Sequence, residues 1–239
     1  MYRIIFALFL AGCASNTVVP ENQDKASLEK KVEVVQNEKK EVKIVYKSYD
    51  ECRKLDNAKS YKKSFSCYTD ISKNEDVKGY IGLAKAYHYG NGVKKDLERA
   101  VLNYEKAAEL GDDQSALMLG SMYESGLLEG GINDEKAFYW YEKSGLNGNA
   151  KAAFALSSLY VKGKGVQKDS AKSIYWLEVA AERGVPLAQY LIGESYYKRY
   201  LLTKNNEFLL KSKDLLEKSS KQGDNRANEL LKVVDDLLK

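Results

Sequence analysis

The sequence predicts an all-α protein built as an α-solenoid, that is, a stack of paired helices. A glycine-rich pattern of seven residues occurs twice, as GNGVKKD from residue 90 and as GKGVQKD from residue 163. Leucine-type, tyrosine and glycine positions recur at spacings of 36 to 39 residues, a period typical of solenoid proteins. The 239 residues include only two prolines, which favours helices because proline interrupts them.

The composition is that of a globular chain, with 44% hydrophobic and 30% charged residues. The 38 basic and 34 acidic residues are interspersed along the sequence. Proteins that bind nucleic acids usually concentrate their basic residues in a patch or stripe. We therefore expect no nucleic-acid partner.

The N-terminal residues MYRIIFALFLAGCASN are typical of an exported protein. Arg3 precedes the apolar run 4–10, which is shorter than the roughly 20 residues that cross a bilayer as a helix. Its length fits the apolar region of a signal peptide. The stretch from Leu10 to Cys13, LAGC, resembles the bacterial lipobox. This resemblance implies that residues 1–12 are removed as a signal peptide and that Cys13 receives the lipid. An ordinary signal peptide that contains a cysteine is the alternative.

Residue 14 is alanine rather than the aspartate that often retains such lipoproteins in the inner membrane. We therefore expect a lipid anchor in the outer membrane, facing the periplasm. Residues 13–47 comprise the lipidated cysteine and a polar segment of mixed charge, which predicts a solvated tether. Apolar residues near heptad spacing leave a short coiled coil as the alternative: Leu28, Val32, Val35 and Val42.

Each period is interpreted as two helices joined at a glycine corner. In the first helix Ala152, Leu156 and Tyr160 fall on one stripe. Gly90 and Gly163 are predicted to end their helices in the left-handed conformation. The next helix is predicted to begin after a capping side chain, supplied by Asp96, Asn133 or Asp169. The second helix of each repeat is predicted to bury mostly small and aromatic residues. These are Ala100, Tyr104, Ala107 and Ala108 in one repeat, and Ala137, Trp140 and Tyr141 in the next.

The segments AYHYGNGVKKDLERA, LGSMY and GKGVQKDSAKSIYW resemble Sel-one-like repeats, relatives of the tetratricopeptide repeat. The resemblance implies a right-handed α-solenoid with a tetratricopeptide-like superhelix. It covers repeats at 77–113, 114–150 and 151–187 and a divergent repeat at 188–225, in which Arg199 occupies the corner-glycine position and KRYLLTKNNEF replaces the usual loop. Residues 48–76 look like a degenerate first repeat. Residues 226–239 look like a capping helix with these side chains facing inward: Leu230, Leu231, Val234, Leu237 and Leu238.

Cys52 and Cys67 remain besides the lipidated cysteine. An even pair in an exported, oxidising compartment predicts a disulfide, with two buried free thiols as the alternative. Cysteine-rich members of the family staple their helix pairs in this way, so the resemblance to that subgroup is partial.

Several kinds of chemistry are excluded by residue type and position. A phosphate loop follows a strand and opens a helix, whereas here a helix precedes the glycines. His88 is the only histidine and is interpreted as a surface or packing residue. One histidine and a disulfide-suited cysteine pair do not make a zinc site. We expect no metal and no cofactor.

The cysteine-rich relatives have been associated with penicillin binding and β-lactamase activity, so the resemblance also implies a hydrolase as an alternative function. Ser27 to Lys30 and Ser60 to Lys63 fit the Ser-x-x-Lys motif of serine β-lactamases. The partner motifs Ser-Asp-Asn and Lys-Thr-Gly do not occur in the chain. We therefore assign no catalytic residue.

The first helices of the repeats are predicted to line a concave face. Residues two and five positions after each leucine-type position are predicted to point outward together: Lys85, Ser121, Ser158 and Glu194, then His88, Glu124, Val161 and Tyr197. The predicted function is a membrane-anchored scaffold that binds an envelope or host protein or peptide on this face. A structural adaptor for peptidoglycan is a third hypothesis.

Overall fold

The computed structural model describes residues 48–239, which form eleven α-helices and, within that range, no strand. The helices are α1 (Tyr49–Asn57), α2 (Tyr61–Ser72), α3 (Val77–Tyr89), α4 (Leu97–Glu109), α5 (Asp113–Glu124), α6 (Asp134–Leu146), α7 (Ala150–Lys162), α8 (Ser170–Glu182), α9 (Pro186–Thr203), α10 (Asn206–Ser220) and α11 (Asn225–Leu237).

Each helix packs against the next one in the chain, so the helices form a stack of antiparallel pairs. We call α3, α5, α7 and α9 the A helices, and α4, α6, α8 and α10 the B helices that follow them. The pair α1–α2 precedes these four pairs and α11 follows them. One continuous core of small, aliphatic and aromatic side chains runs from α3 to α9. The predicted all-α solenoid is confirmed.

The corners follow the predicted capping chemistry. Gly90 and Gly163 end α3 and α7 with φ of 78° and 70°, the left-handed conformation that suits glycine. The side chains of Asp96, Asn133 and Asp169 each accept a hydrogen bond from the backbone N–H three residues later. These bonds pair backbone donors that have no partner inside the helix.

The second corner glycine brings the backbones of adjacent repeats together. Gly165 has a φ of 65° and lies directly against the carbonyl oxygen of Asp134, the first residue of the preceding B helix. Gly92 lies in the same way against the carbonyl oxygen of Tyr61 in α2. A side chain at either corner would collide with that backbone.

The tyrosine near the end of α7 joins adjacent repeats. The ring of Tyr160 lies edge to face with Phe138 of the preceding B helix, with 5.4 Å between centroids. The ammonium group of Lys172, from the following B helix, lies 5.5 Å from the centre of the same ring. The tyrosine thus contacts the B helices on both sides of its own A helix, a ring and a cation each adding to the packing.

The first helix pair is joined covalently. In the structure the sulfurs of Cys52 and Cys67 are bonded, both residues are fully buried, and their Cα atoms lie 5.4 Å apart. The carboxylate of Asp56 accepts hydrogen bonds from the hydroxyls of Ser64 at 2.6 Å and Tyr68 at 2.9 Å. A disulfide and two side-chain bonds therefore hold α1 against α2.

Two details of the C-terminal part differ from the sequence prediction. Arg199, predicted at the corner, instead continues α9, which runs for 18 residues and leaves two residues before α10, so that most of KRYLLTKNNEF is helical. The helix extends because this corner lacks glycine, and it ends only at Lys204, with a φ of 56°. In α11 Val234 is fully buried, but Leu237 is 45% exposed and does not face inward.

We expect Gly165→Ala to destabilise the fold more than an ordinary glycine substitution at positive φ. The left-handed conformation costs alanine about 1–2 kcal/mol, and the collision with the Asp134 carbonyl adds about 1–3 kcal/mol. Denaturant unfolding followed by circular dichroism measures the loss.

Gly131→Ala is the matched control, because Gly131 has a φ of 76°, close to that of Gly165, and nothing within 4 Å of an added Cβ. It should show the cost of the conformation alone. Equal losses for the two variants would contradict the close approach of the backbones.

Candidate protein-binding surface

The first row of predicted surface residues reaches solvent on all four A helices. Lys85 and Ser121 are exposed, and Ser158 and Glu194 are half-buried. The carboxylate of Glu194 lies 2.9 Å from the ammonium group of Lys198, one turn later on α9. We call Lys85, Ser121, Ser158 and Glu194 the A-helix polar row.

The second row does not point outward together as predicted: Val161 is exposed, but His88, Glu124 and Tyr197 are half-buried. The carboxylate of Glu124 faces α6 and accepts a hydrogen bond of 2.7 Å from the hydroxyl of Tyr141. The half-buried ring of His88 stacks on Tyr89 and lies edge-on to Tyr104 of α4, with 6.2 Å between centroids. Each residue of the second row lies three positions after its counterpart in the first row, and residues three apart differ by about 60° around a helix. The second row is therefore rotated from the first row toward the B helix of the same repeat.

The last two members of that row differ from each other. Val161 is 61% exposed, whereas Tyr197 is half-buried and packs on the apolar cluster of α10 and α11. His88, Glu124, Val161 and Tyr197 therefore form no common surface. The orientation of each side chain is determined by the local packing of its A helix against neighbouring helices.

Burial is the main cause of the pKa shifts between the A and B helices. Burial lowers the pKa of His88, and the positive charge of Lys95 lowers it further. Burial raises the pKa of Tyr141, and its hydrogen bond to Glu124 raises it again. Burial likewise raises the pKa of Tyr104. Each shift keeps the group uncharged where a charge would be poorly solvated.

A row of apolar residues adjoins the polar row and was missed by the sequence analysis. Its members lie one turn before the polar row, at i and i+4 on the same helix face, and all are half-buried: Ile81, Leu117, Phe154 and Tyr190. We call them the A-helix apolar row, and the two rows together the A-helix face. The sequence contains an apolar or aromatic residue two positions before each leucine-type position of the A helices, and this pattern could have predicted the row.

The A-helix face combines half-buried apolar side chains with exposed or half-buried polar ones. Leu117 and Phe154 rest on the main core with one side and remain partly accessible on the other. The guanidinium group of Arg226 lies 4.9 Å from the ring centre of Tyr190. An apolar centre with a polar edge is the usual anatomy of a protein-binding surface.

No metal-binding set is found in residues 48–239. The structure contains there no group of three or more His, Cys, Asp or Glu side chains able to hold a metal ion. Ser60 precedes the first residue of α2, and Lys63 is exposed in its first turn. Cys13, Ser27 and Lys30 lie outside the described residues. Among the helices described, none is both long and apolar enough to cross a membrane.

We expect Tyr141→Phe to lower the free energy of unfolding by about 1–2 kcal/mol, because it removes a hydrogen bond to a carboxylate. Chemical denaturation at neutral pH measures the change. A loss below a few tenths of a kcal/mol would contradict the role of the Tyr141–Glu124 bond.

Tyr104→Phe is the control at the equivalent position of the preceding repeat. The buried hydroxyl of Tyr104 has no hydrogen-bond partner among the residues that the structure describes. Removing it should therefore cost less than removing the hydroxyl of Tyr141.

Comparison with known proteins identifies the repeat. The family model of the Sel1 repeat matches residues 77–112, 113–149, 150–185 and 186–224, more than half of the chain. The chain is 31% identical over 157 residues to the chitin synthase regulator SKT5 of Saccharomyces cerevisiae, covering 64% of this chain and 22% of that protein. It is 32% identical over 139 residues to HRD3B of Arabidopsis thaliana, an ERAD-associated E3 ubiquitin-protein ligase component, covering 56% and 21%. The chain thus spans about a fifth of each of these relatives.

Solved structures share the fold. The protective antigen c5321 of uropathogenic Escherichia coli superposes with a TM-score of 0.60 at 28% identity, covering 77% of this chain and 40% of that one. A Sel1 repeat protein from Oxalobacter formigenes superposes with a TM-score of 0.58 at 20% identity, covering 75% and 86%. The four matched segments coincide with the four A–B helix pairs, α3 to α10. The chain belongs to the Sel1 repeat family.

Proposed function

We propose that this chain is a protein-interaction scaffold of the bacterial envelope that binds a protein or peptide along the A-helix face. The observation that carries the proposal is the regular recurrence of the A-helix apolar row beside the A-helix polar row on four successive helices. A ligand that follows the stack would meet the same kind of contact at each repeat. The rigid pairs behind the face position these contacts before binding, which lowers the entropy cost of association.

The relatives support an interaction role. SKT5 is named for regulating chitin synthase, and HRD3B is named as a component of a ubiquitin ligase. Both names describe action together with another protein, and the repeat region is the part that this chain shares with them. The proposal assigns no reaction to the chain, and its partner is an envelope or host protein, with peptidoglycan as the other envelope ligand to be tested.

We also propose that a lipid on Cys13 holds the chain at the outer membrane, with residues 13–47 as a tether. The support is the LAGC sequence and the alanine that follows it. Several acyl chains on one cysteine would give stable anchoring, since a single chain binds membranes only marginally.

Site-specific photocrosslinking tests the binding face. We expect a benzophenone amino acid in place of Leu117 or Phe154 to form an adduct with one partner in intact cells. The same photoreactive residue at Glu178, an exposed position on the B helix α8, should not form that adduct. Lys85→Glu combined with Ser121→Glu should lower the adduct yield at Phe154 at least fivefold.

Lys106→Glu combined with Ser170→Glu, at exposed positions on α4 and α8, is the matched charge control, because it changes the net charge by the same three units, and it should leave the yield unchanged. Equal crosslinking from Glu178 and from the A-helix face would contradict the proposal. Turnover of a chromogenic cephalosporin that is lost on Ser60→Ala would favour the hydrolase instead.

We expect Cys13→Ser to release the chain from the membrane fraction, because the thiol that takes the lipid is absent. Partition between detergent and aqueous phases measures the anchor. Ala14→Asp should keep the chain membrane-bound but move it to inner-membrane fractions. Retention of the Cys13→Ser variant in the outer membrane would rule out the lipid anchor.

A further inference from the structure

The tyrosines near the ends of the A helices allow the packing between adjacent repeats to be compared. Tyr87 lies edge to face with Phe65 at 5.4 Å and 88°. Tyr160 has the same geometry with Phe138, again 5.4 Å and 88°. In both cases the phenylalanine comes from the preceding second helix of a pair, α2 or α6. A phenyl ring from the preceding helix thus packs on the tyrosine at two of the four junctions.

The junction at Tyr123 lacks this ring. Val101 lies 36 residues after Phe65 and 37 residues before Phe138, and thus occupies the phenylalanine position. Tyr196, at the last of the four junctions, stacks on Phe208 of the following helix α10 instead. Of the four tyrosines, Tyr123 is the one for which the described residues supply no aromatic neighbour.

A cavity of about 690 Å³ lies where the ring is missing, and Val101 and Tyr123 both line it. Its volume falls within the range of about 300–1,000 Å³ that is typical of ligand sites. Leu102, which is 61% exposed, extends the apolar wall toward solvent. The volume exceeds that of one phenyl ring and leaves room for adjoining peptide backbone.

The lengthened corner supplies another wall of the same cavity. Nine residues connect α5 to α6, whereas seven connect α3 to α4 and seven connect α7 to α8. Leu128 and Glu129 belong to the lengthened connection, and both line the cavity. Two differences from the other repeats, the smaller side chain of Val101 and the longer connection between α5 and α6, thus occur at the same cavity.

The polar groups of the cavity match an uncharged aromatic side chain. The ammonium group of Lys136 lies 5.1 Å from the ring centre of Tyr123, as Arg99 does at Tyr87 and Lys172 does at Tyr160. The cation of the regular arrangement is therefore present at this junction. Two acids, Glu98 and Glu129, balance the two lysines that line the cavity, so the cavity has no net preference for an ion.

We propose that this cavity binds a phenylalanine side chain of a partner peptide, with the ring edge-on to Tyr123 in the place that Phe65 and Phe138 occupy elsewhere. The bound ring would gain the aromatic contact and the apolar burial that the other junctions obtain within the chain. The site is formed by α4, the end of α5, the α5–α6 corner and the start of α6. It is separate from the A-helix face and does not depend on binding there.

A fluorinated probe tests the site on the full chain in detergent solution. N-acetyl-4-fluorophenylalaninamide is titrated with protein, and line broadening of its fluorine NMR signal gives the dissociation constant. We expect saturable binding, with N-acetylphenylalaninamide displacing the probe at least fivefold more effectively than N-acetylleucinamide. Equal displacement by the two competitors, or no saturable binding, would overturn the proposal.

Val101→Phe restores the regular ring and should fill the cavity from within. We expect it to keep the helical circular dichroism and to melt at the same or a higher temperature, while probe affinity falls at least tenfold. Ile174→Phe makes the same change at the equivalent position two repeats later and should leave affinity within twofold. A Val101→Phe variant that binds as tightly as the unaltered chain would overturn the proposal, whatever the photocrosslinking of the A-helix face shows.

Discussion

No helix pair in this chain can bury its apolar surface alone, and the contact between one repeat and the next therefore determines the structure. The tyrosine at the end of α7 shows this constraint most clearly. Tyr160 receives the edge of Phe138 from one side and the cation of Lys172 from the other. Gly165 lets the same corner approach the backbone of the preceding B helix. Stability in such a stack is close to a sum of repeat and interface contributions, so a change at one junction has local effects.

Features that depend on a few neighbouring residues could be predicted from the sequence. Glycine at the corner and an aspartate or asparagine before the B helix determine the caps through local backbone geometry, and Gly163 and Asp169 behave as predicted. The small and aromatic residues of the B helices were assigned to the core because their helical spacing is regular. The extension of α9 was not predicted, since the absence of a corner glycine at Arg199 does not say where the helix will end.

The binding face could be predicted only in part. Counting residues from the leucine-type position placed Lys85 at the surface correctly, because it lies nearly opposite the buried stripe. The same counting failed for Glu124, whose orientation depends on the hydroxyl of Tyr141, a residue 17 positions away. The cavity at Tyr123 is less accessible still to sequence reasoning. It requires knowing that Val101 and Tyr123 line one cavity across a repeat boundary, where the B helix of one repeat faces the A helix of the next.

The two ends of the stack compensate for a missing neighbour in different ways. At the N-terminal end the disulfide closes a loop of 15 residues, which contributes roughly 3 kcal/mol in the chain-entropy model. At the C-terminal end α11 buries Ala227 and Val234, and Lys213 forms an ion pair of 2.6 Å with Asp235. That pair is well exposed to solvent, and such pairs contribute only about 0–1 kcal/mol. The C-terminal helix is thus held mainly by burial. The cavity at Tyr123 lies within the stack, between two helix pairs that each have neighbours on both sides.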